Sequence, residues 1–147
     1  MEDIHKLINK LVQDEIITQK EADQIDKNIV YKFAQSPLAK DLMKARKIYK
    51  EAPFYINIPA KEIYKVETDE QILVQGIIDL YYENEQGEII LLDYKTDRVQ
   101  QSSELKEKYK VQLELYKNAL EAATNKQVKK VYIYSTCLNE AIEIEQN

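Results

Sequence analysis

The chain has 147 residues, enough for one sizeable hydrophobic core and too few for two full domains. Apolar residues make up 44% and charged residues 32%, a globular composition rather than a disordered one. Two glycines, Gly76 and Gly87, one cysteine and one histidine exclude a glycine-rich phosphate loop, an internal disulfide and any multi-cysteine zinc or iron–sulfur site. His5 would be the sole histidine for a catalytic triad, and a poor one. Any chemistry must therefore be carried by carboxylates, lysine and tyrosine.

No run of about 18 apolar residues occurs, and the acidic start lacks the basic-then-apolar layout of a signal peptide. Cytoplasm is the expected location, with no membrane partner. The net charge of −5 is unevenly spread. Residues 51–93 hold two lysines against ten acids, whereas residues 98–130 hold eight basic residues against four glutamates. A positive helix beside an acidic centre suits a metal-dependent site facing phosphate.

In chain order, Ile4, Leu7, Ile8, Leu11 and Val12 have the spacing of an amphipathic helix. Thr18 and Glu21 form a capping-box pattern opening a second helix. Asp26 caps a third with Ile29, Val30 and Phe33, and Ser36-Pro37 starts a fourth. The period then changes to two. Lys47 to Pro59 reads as strand broken near Pro53, and Lys61 to Glu67 as a further short strand. Gln71–Glu83 and Glu88–Thr96 are strands joined at Glu85-Gln86-Gly87, with Gly87 left-handed. A long helix over 103–123 and strands over 128–136 and 141–145 close the chain. The expected fold is an α/β (α+β) layout, a sheet with helices packed on it and a helical N-terminal third.

The central hairpin carries a contradiction. Both strands are apolar at both parities, which predicts cover on both faces. Yet Asp79 lies in the first, and Asp93 and Lys95 in the second. Charges removed from water cost several kcal/mol each unless paired or metal-bound. With the loop at 85–87, paired positions sum to 172, so Asp79 falls opposite Asp93 and Lys95 shares that face. Two close carboxylates resist ionising together unless a cation lies between them, and hard oxygen ligands suit Mg²⁺ or, in its place, Mn²⁺. The lysine can neutralise, orient water or stabilise developing charge. On the long helix Gln112 and Tyr116 form an i, i+4 pair on one face.

The ordered set Gly76-Ile77-Ile78-Asp79, Leu92-Asp93-Tyr94-Lys95-Thr96-Asp97 and Gln112-x-x-x-Tyr116 resembles the PD-(D/E)XK nuclease superfamily in its RecB-like branch. The likeness is nearest to the carboxy-terminal nuclease domains of the AddA family of bacterial helicase–nucleases. Glu51-Ala52-Pro53-Phe54 is similar to that family's Glu-x-Pro-Phe segment.

The resemblance implies a restriction-endonuclease-like core, a central mixed sheet flanked by helices, in one nuclease domain. Residues 1–46 would be its helical part and 47–147 its catalytic part. It implies Asp79, Asp93 and the backbone carbonyl of Tyr94 as Mg²⁺ ligands and Lys95 as the catalytic lysine. Gln112 and Tyr116 would support the site and DNA, while Glu51 matches a family glutamate to which sequence assigns no role. The implied activity is exonucleolytic hydrolysis of single-stranded DNA at double-strand breaks. Implied partners are helicase domains of the same polypeptide and a second, AddB-like subunit. The lone cysteine separates the chain from iron–sulfur relatives. The family's Gly-Thr-x-x-His histidine is unmatched, since Glu2, Asp3 and Ile4 precede His5. These residues are accordingly expected to be a fragment of a longer helicase–nuclease. The alternative expectation is a non-catalytic DNA-binding or assembly module that keeps the fold.

Overall fold

A computed structural model describes residues 1–145, apart from the Ile63 side chain. The chain forms two compact units, one spanning Met1–Met43 and the other running from Lys44 onward. The first is helical: α1 (Glu2–Gln13), α2 (Gln19–Gln24), α3 (Lys27–Gln35) and α4 (Pro37–Met43). Its starts follow the caps expected from sequence. Glu21 N–H donates to Thr18 Oγ1 at 3.2 Å while Glu21 Oε2 accepts the Thr18 N–H at 2.7 Å, a reciprocal capping box. Asp26 Oδ1 caps α3 through the Asn28 N–H at 2.9 Å. Ile4, Ile8 and Ala22 form a small core flanked by Val12, Ile17, Ile25 and Val30. Leu7, at 53% exposure, faces outward although its spacing groups it with Ile4 and Ile8.

The second unit is a five-stranded sheet in the order β1-β2-β3-β4-β5, with β1 (Lys47–Pro59), β2 (Gln71–Glu83), β3 (Ile89–Lys95), β4 (Val128–Ser135) and β5 (Glu140–Ile144). Only β3 and β4 are parallel, joined through α6 (Ser102–Thr124), so the sheet is mixed. Leu105, Leu113 and Leu120 of α6 pack with Ile89, Leu91, Val131, Ile133, Ile142 and Ile144 of the sheet in one core. The β2–β3 turn follows its glycine signal. Gly87 has φ +80°, and Asn84 Oδ1 accepts the N–H groups of Gln86 and Glu88 at 3.1 and 2.9 Å.

Three expectations are corrected. β1 is continuous through Pro53, because an edge strand tolerates a residue without an N–H; its backbone irregularity falls instead at Glu51, with φ +48°. The expected strand at 61–67 is instead α5 (Ala60–Tyr64) followed by irregular chain. The ladder closes at Pro59↔Gln71, and Ala60 N–H donates to the Glu70 carbonyl at 2.9 Å, so residues between them bridge a hairpin. Finally, β3 is buried from Ile89 to Asp93, but β2 is covered on both faces only near its end: Leu73 and Ile77 are 60% and 59% exposed. The β1–β2 ribbon projects beyond β3, which pairs only with Leu80–Glu83.

Gly76 is dictated by packing rather than by a turn. It pairs with Phe54, whose ring lies so close that a Cβ would come within 2.6 Å of Cε1. The glycine lets Phe54 sit under α6, with its ring 5.2 Å from that of Tyr116 and nearly edge-on at 65°.

Candidate active site

The β2–β3 pairs are Leu80↔Leu92, Tyr81↔Leu91, Tyr82↔Ile90 and Glu83↔Ile89, the register expected from the turn. The regular ladder stops one rung before Asp79 and Asp93. There the side chain of Asp79 replaces the backbone: its Oδ2 accepts the Tyr94 N–H at 3.1 Å. Asp79 is thus tied to β3 at the point where the two strands separate.

Asp93 is 2% exposed. Its Oδ2 lies 2.7 Å from Lys95 Nζ, so the lysine is the partner that compensates this buried carboxylate. Burial pushes the Asp93 carboxyl pKa up; Lys95 opposes that rise and the Asp79 charge adds to it. Lys95 sits two residues further along β3, on the same face as Asp93, and its side chain is only 14% exposed. Its ammonium also donates to Gln112 Oε1 at 3.2 Å, and Gln112 Nε2 in turn donates to the Tyr116 hydroxyl at 3.1 Å. Since lysine can only donate, the amide oxygen of Gln112 must face it. Burial, then the Asp93 charge, raises the Tyr116 pKa, so the phenol stays protonated at neutral pH.

The structure therefore brings Asp93, Lys95, Gln112 and Tyr116 into one contact chain, with Asp79 joined through Tyr94. Glu51 is exposed and occupies the row between Lys50↔Leu80 and Ala52↔Ile78, the row of Asp79. Two groups around Lys95 were not predicted from the sequence. The ammonium lies 4.1 Å from the centre of the Tyr109 ring, and the Tyr109 hydroxyl reaches Asp97 Oδ1 and Oδ2 at 3.0 and 2.9 Å. Asp97 also pairs with Lys108, which, followed by Tyr109, holds its pKa below the ordinary aspartate value. Helical spacing of 109, 112 and 116 was the available signal for this face.

The two carboxylates gathered here, Asp79 and Asp93, offer oxygen ligand atoms, whereas the Lys95 carbonyl at the end of β3 is taken by the Thr136 N–H at 3.0 Å. Among the described residues no group of three or more His, Cys, Asp or Glu side chains is arranged to hold an ion. His5 is exposed, with Nδ1 3.0 Å from the Met1 carbonyl. Among the described residues no helix is long and apolar enough to cross a membrane.

The chain is 40% identical over 149 residues to an ATP-dependent helicase/nuclease polypeptide of Clostridium botulinum (strain Hall), covering 98% of this chain and 12% of that protein. It is 44% identical over 138 residues to the polypeptide of the same name from Clostridium kluyveri, covering 90% of this chain and 11% of the relative. The chain thus spans about an eighth or less of the length of these relatives. Its fold matches the crystal structure of SSO0001 with a TM-score of 0.50 at 15% identity, over 99% of this chain and 60% of that one. The family profile of the PD-(D/E)XK nuclease superfamily matches residues 2–145. With a mixed sheet flanked by helices, and a family match over nearly its whole length, the chain belongs to the PD-(D/E)XK nuclease superfamily.

Proposed function

We propose that this chain is a metal-dependent deoxyribonuclease domain, part of a longer helicase–nuclease, that hydrolyses single-stranded DNA exonucleolytically during double-strand-break processing. The carrying observation is a deeply buried Asp93 compensated by Lys95 at 2.7 Å beside the separating end of a β-ladder. In open α/β sheets, ligands bind at the carboxyl ends of strands, and Asp93 and Lys95 are in the last three residues of β3.

Asp79, Asp93 and the Tyr94 carbonyl would hold Mg²⁺, or Mn²⁺ as substitute. The fit rests on the all-oxygen donor set and on two carboxylates near enough that the Asp79 charge is felt at Asp93. In an extended residue the N–H and C=O project to the same side, so the Tyr94 carbonyl points toward β2, as its N–H does. When bound, such an ion supplies neutralising charge at the scissile phosphate and makes water acidic enough to attack near neutral pH. Lys95 donates to a phosphate oxygen and stabilises the charge developing there. Gln112 holds the lysine head, and Tyr116 presents a protonated phenol to the DNA. The basic surplus over 98–130 attracts the phosphate backbone. The proposed partners are helicase domains of the same polypeptide and a second, AddB-like subunit.

The test is digestion of end-labelled single-stranded DNA with Mg²⁺ or Mn²⁺. Cleavage is expected to vanish with EDTA and to fall at least about a hundredfold in Asp93→Ala. Undiminished cutting by that variant overturns the reading.

A further inference from the structure

We propose that Tyr109, locked by Asp97, is a positioning residue that aims the Lys95 ammonium at the scissile phosphate. This rests on reading Lys95 as the group that meets the phosphate. Two contacts, Asp93 Oδ2 at 2.7 Å and Gln112 Oε1 at 3.2 Å, define a line about which the head of a flexible four-carbon side chain can still turn. A third contact off that line removes the remaining freedom. The Tyr109 ring, with its centre 4.1 Å from Nζ, provides it.

A cation on a ring is held only as firmly as the ring itself. Tyr109 is fixed at its far end, where its hydroxyl donates to a carboxylate whose two oxygens lie at 3.0 and 2.9 Å. That carboxylate, Asp97, follows Lys95 by two residues, so the strap that carries the lysine also carries the clamp on its neighbour. Lys108 balances Asp97 and leaves no uncompensated charge there. The ring thus works at both ends, with its edge hydroxyl on Asp97 and its face under Lys95. Of the three ammonium protons, two meet Asp93 and Gln112 and the third is left for a phosphate oxygen, while the ring keeps the head in place.

The roles of face and hydroxyl can be separated. Tyr109→Phe keeps the face and loses the clamp; Tyr109→Leu loses both. Single-stranded DNA cleavage by the whole chain with Mn²⁺ is expected to show kcat falling about ten- to a hundredfold in Tyr109→Leu. KM and the Mn²⁺-induced rise in Tm should stay near wild type. Tyr109→Phe, which keeps the face and loses the clamp, is expected to fall between wild type and Tyr109→Leu. Wild-type kcat in Tyr109→Leu, or a loss that moves with Mn²⁺ binding instead of kcat, overturns the proposal.

A second readout does not depend on cleavage. In ¹³C-lysine-labelled protein, assigned with Lys95→Arg, the Lys95 ε-methylene should be shifted upfield by the ring, with the shift reduced in Tyr109→Phe and lost in Tyr109→Leu. An unshifted wild-type signal sinks the positioning role. Absence of cleavage by wild type, with the shift present, instead counts against the nuclease reading and leaves this geometry supported.

Discussion

Asp79 accepts the backbone N–H of Tyr94 at 3.1 Å, taking the place that a ladder bond would otherwise fill. One carboxylate thereby ends the β2–β3 pairing and stands next to Asp93 across the gap. The same side chain is structural through Oδ2, and in the proposed site it would hold the cation through its other oxygen.

Asp79→Asn separates these uses. The amide oxygen can still accept from Tyr94, so metal-free stability should change by less than about 1 kcal/mol in urea unfolding. The rise in Tm on adding Mn²⁺, expected for wild type, should disappear. A variant whose Tm still responds to Mn²⁺ as wild type does would remove Asp79 from the site.

Lys95→Met leaves Asp93 buried without its charge partner. Breaking a buried pair costs roughly 3–5 kcal/mol, and the raised Asp93 pKa puts this case near the lower end because the carboxyl can take up a proton. Adding Asp93→Asn to Lys95→Met should restore most of that loss. Equal urea midpoints for wild type and Lys95→Met would show the pair to be energetically idle.

Asp97 titrates below an ordinary aspartate because its ionised form is bonded first by Lys108 and then by Tyr109. A lowered folded pKa means that its contribution is present above the unfolded value and is lost as pH falls through the folded one. Carboxyl ¹³C titration should therefore place Asp97 lower than exposed aspartates. Lys108→Ala should move it up further than Tyr109→Phe does. The reverse order would assign the main hold to the phenol.

Gly76→Ala forces a Cβ to within 2.6 Å of the buried Phe54 ring and displaces it from Tyr116. A loss of about 1–3 kcal/mol is expected from overpacking, with a fall in cleavage as the Tyr116 end of the contact chain shifts. An unchanged unfolding midpoint would mean that Phe54 moves freely.

Much of the fold is legible in local sequence. Helix caps at Thr18 and Asp26 and the turn at Gly87 are local chemistry, and the structure uses each of them. The hairpin register followed from loop length, because a two-residue period leaves one pairing that fits. Pro53 and the 61–67 segment misled for the same reason. Strand propensity says nothing of whether a partner strand exists, and only the ribbon's closure at Pro59↔Gln71 turns 60–70 into a connection.

By itself, then, the sequence determined a sheet with helices packed on it and placed the charges Asp79, Asp93 and Lys95 in strands meant to be dry. The tertiary structure decided what those charges meet. It ended the ladder one rung early, so that Asp79 bonds to Tyr94. It also brought α6 over β3, so that Gln112 and the face of Tyr109 close around Lys95. Periodicity assigns a side chain to a face, but a three-way contact depends on where two elements distant in sequence come to rest, which no local pattern encodes.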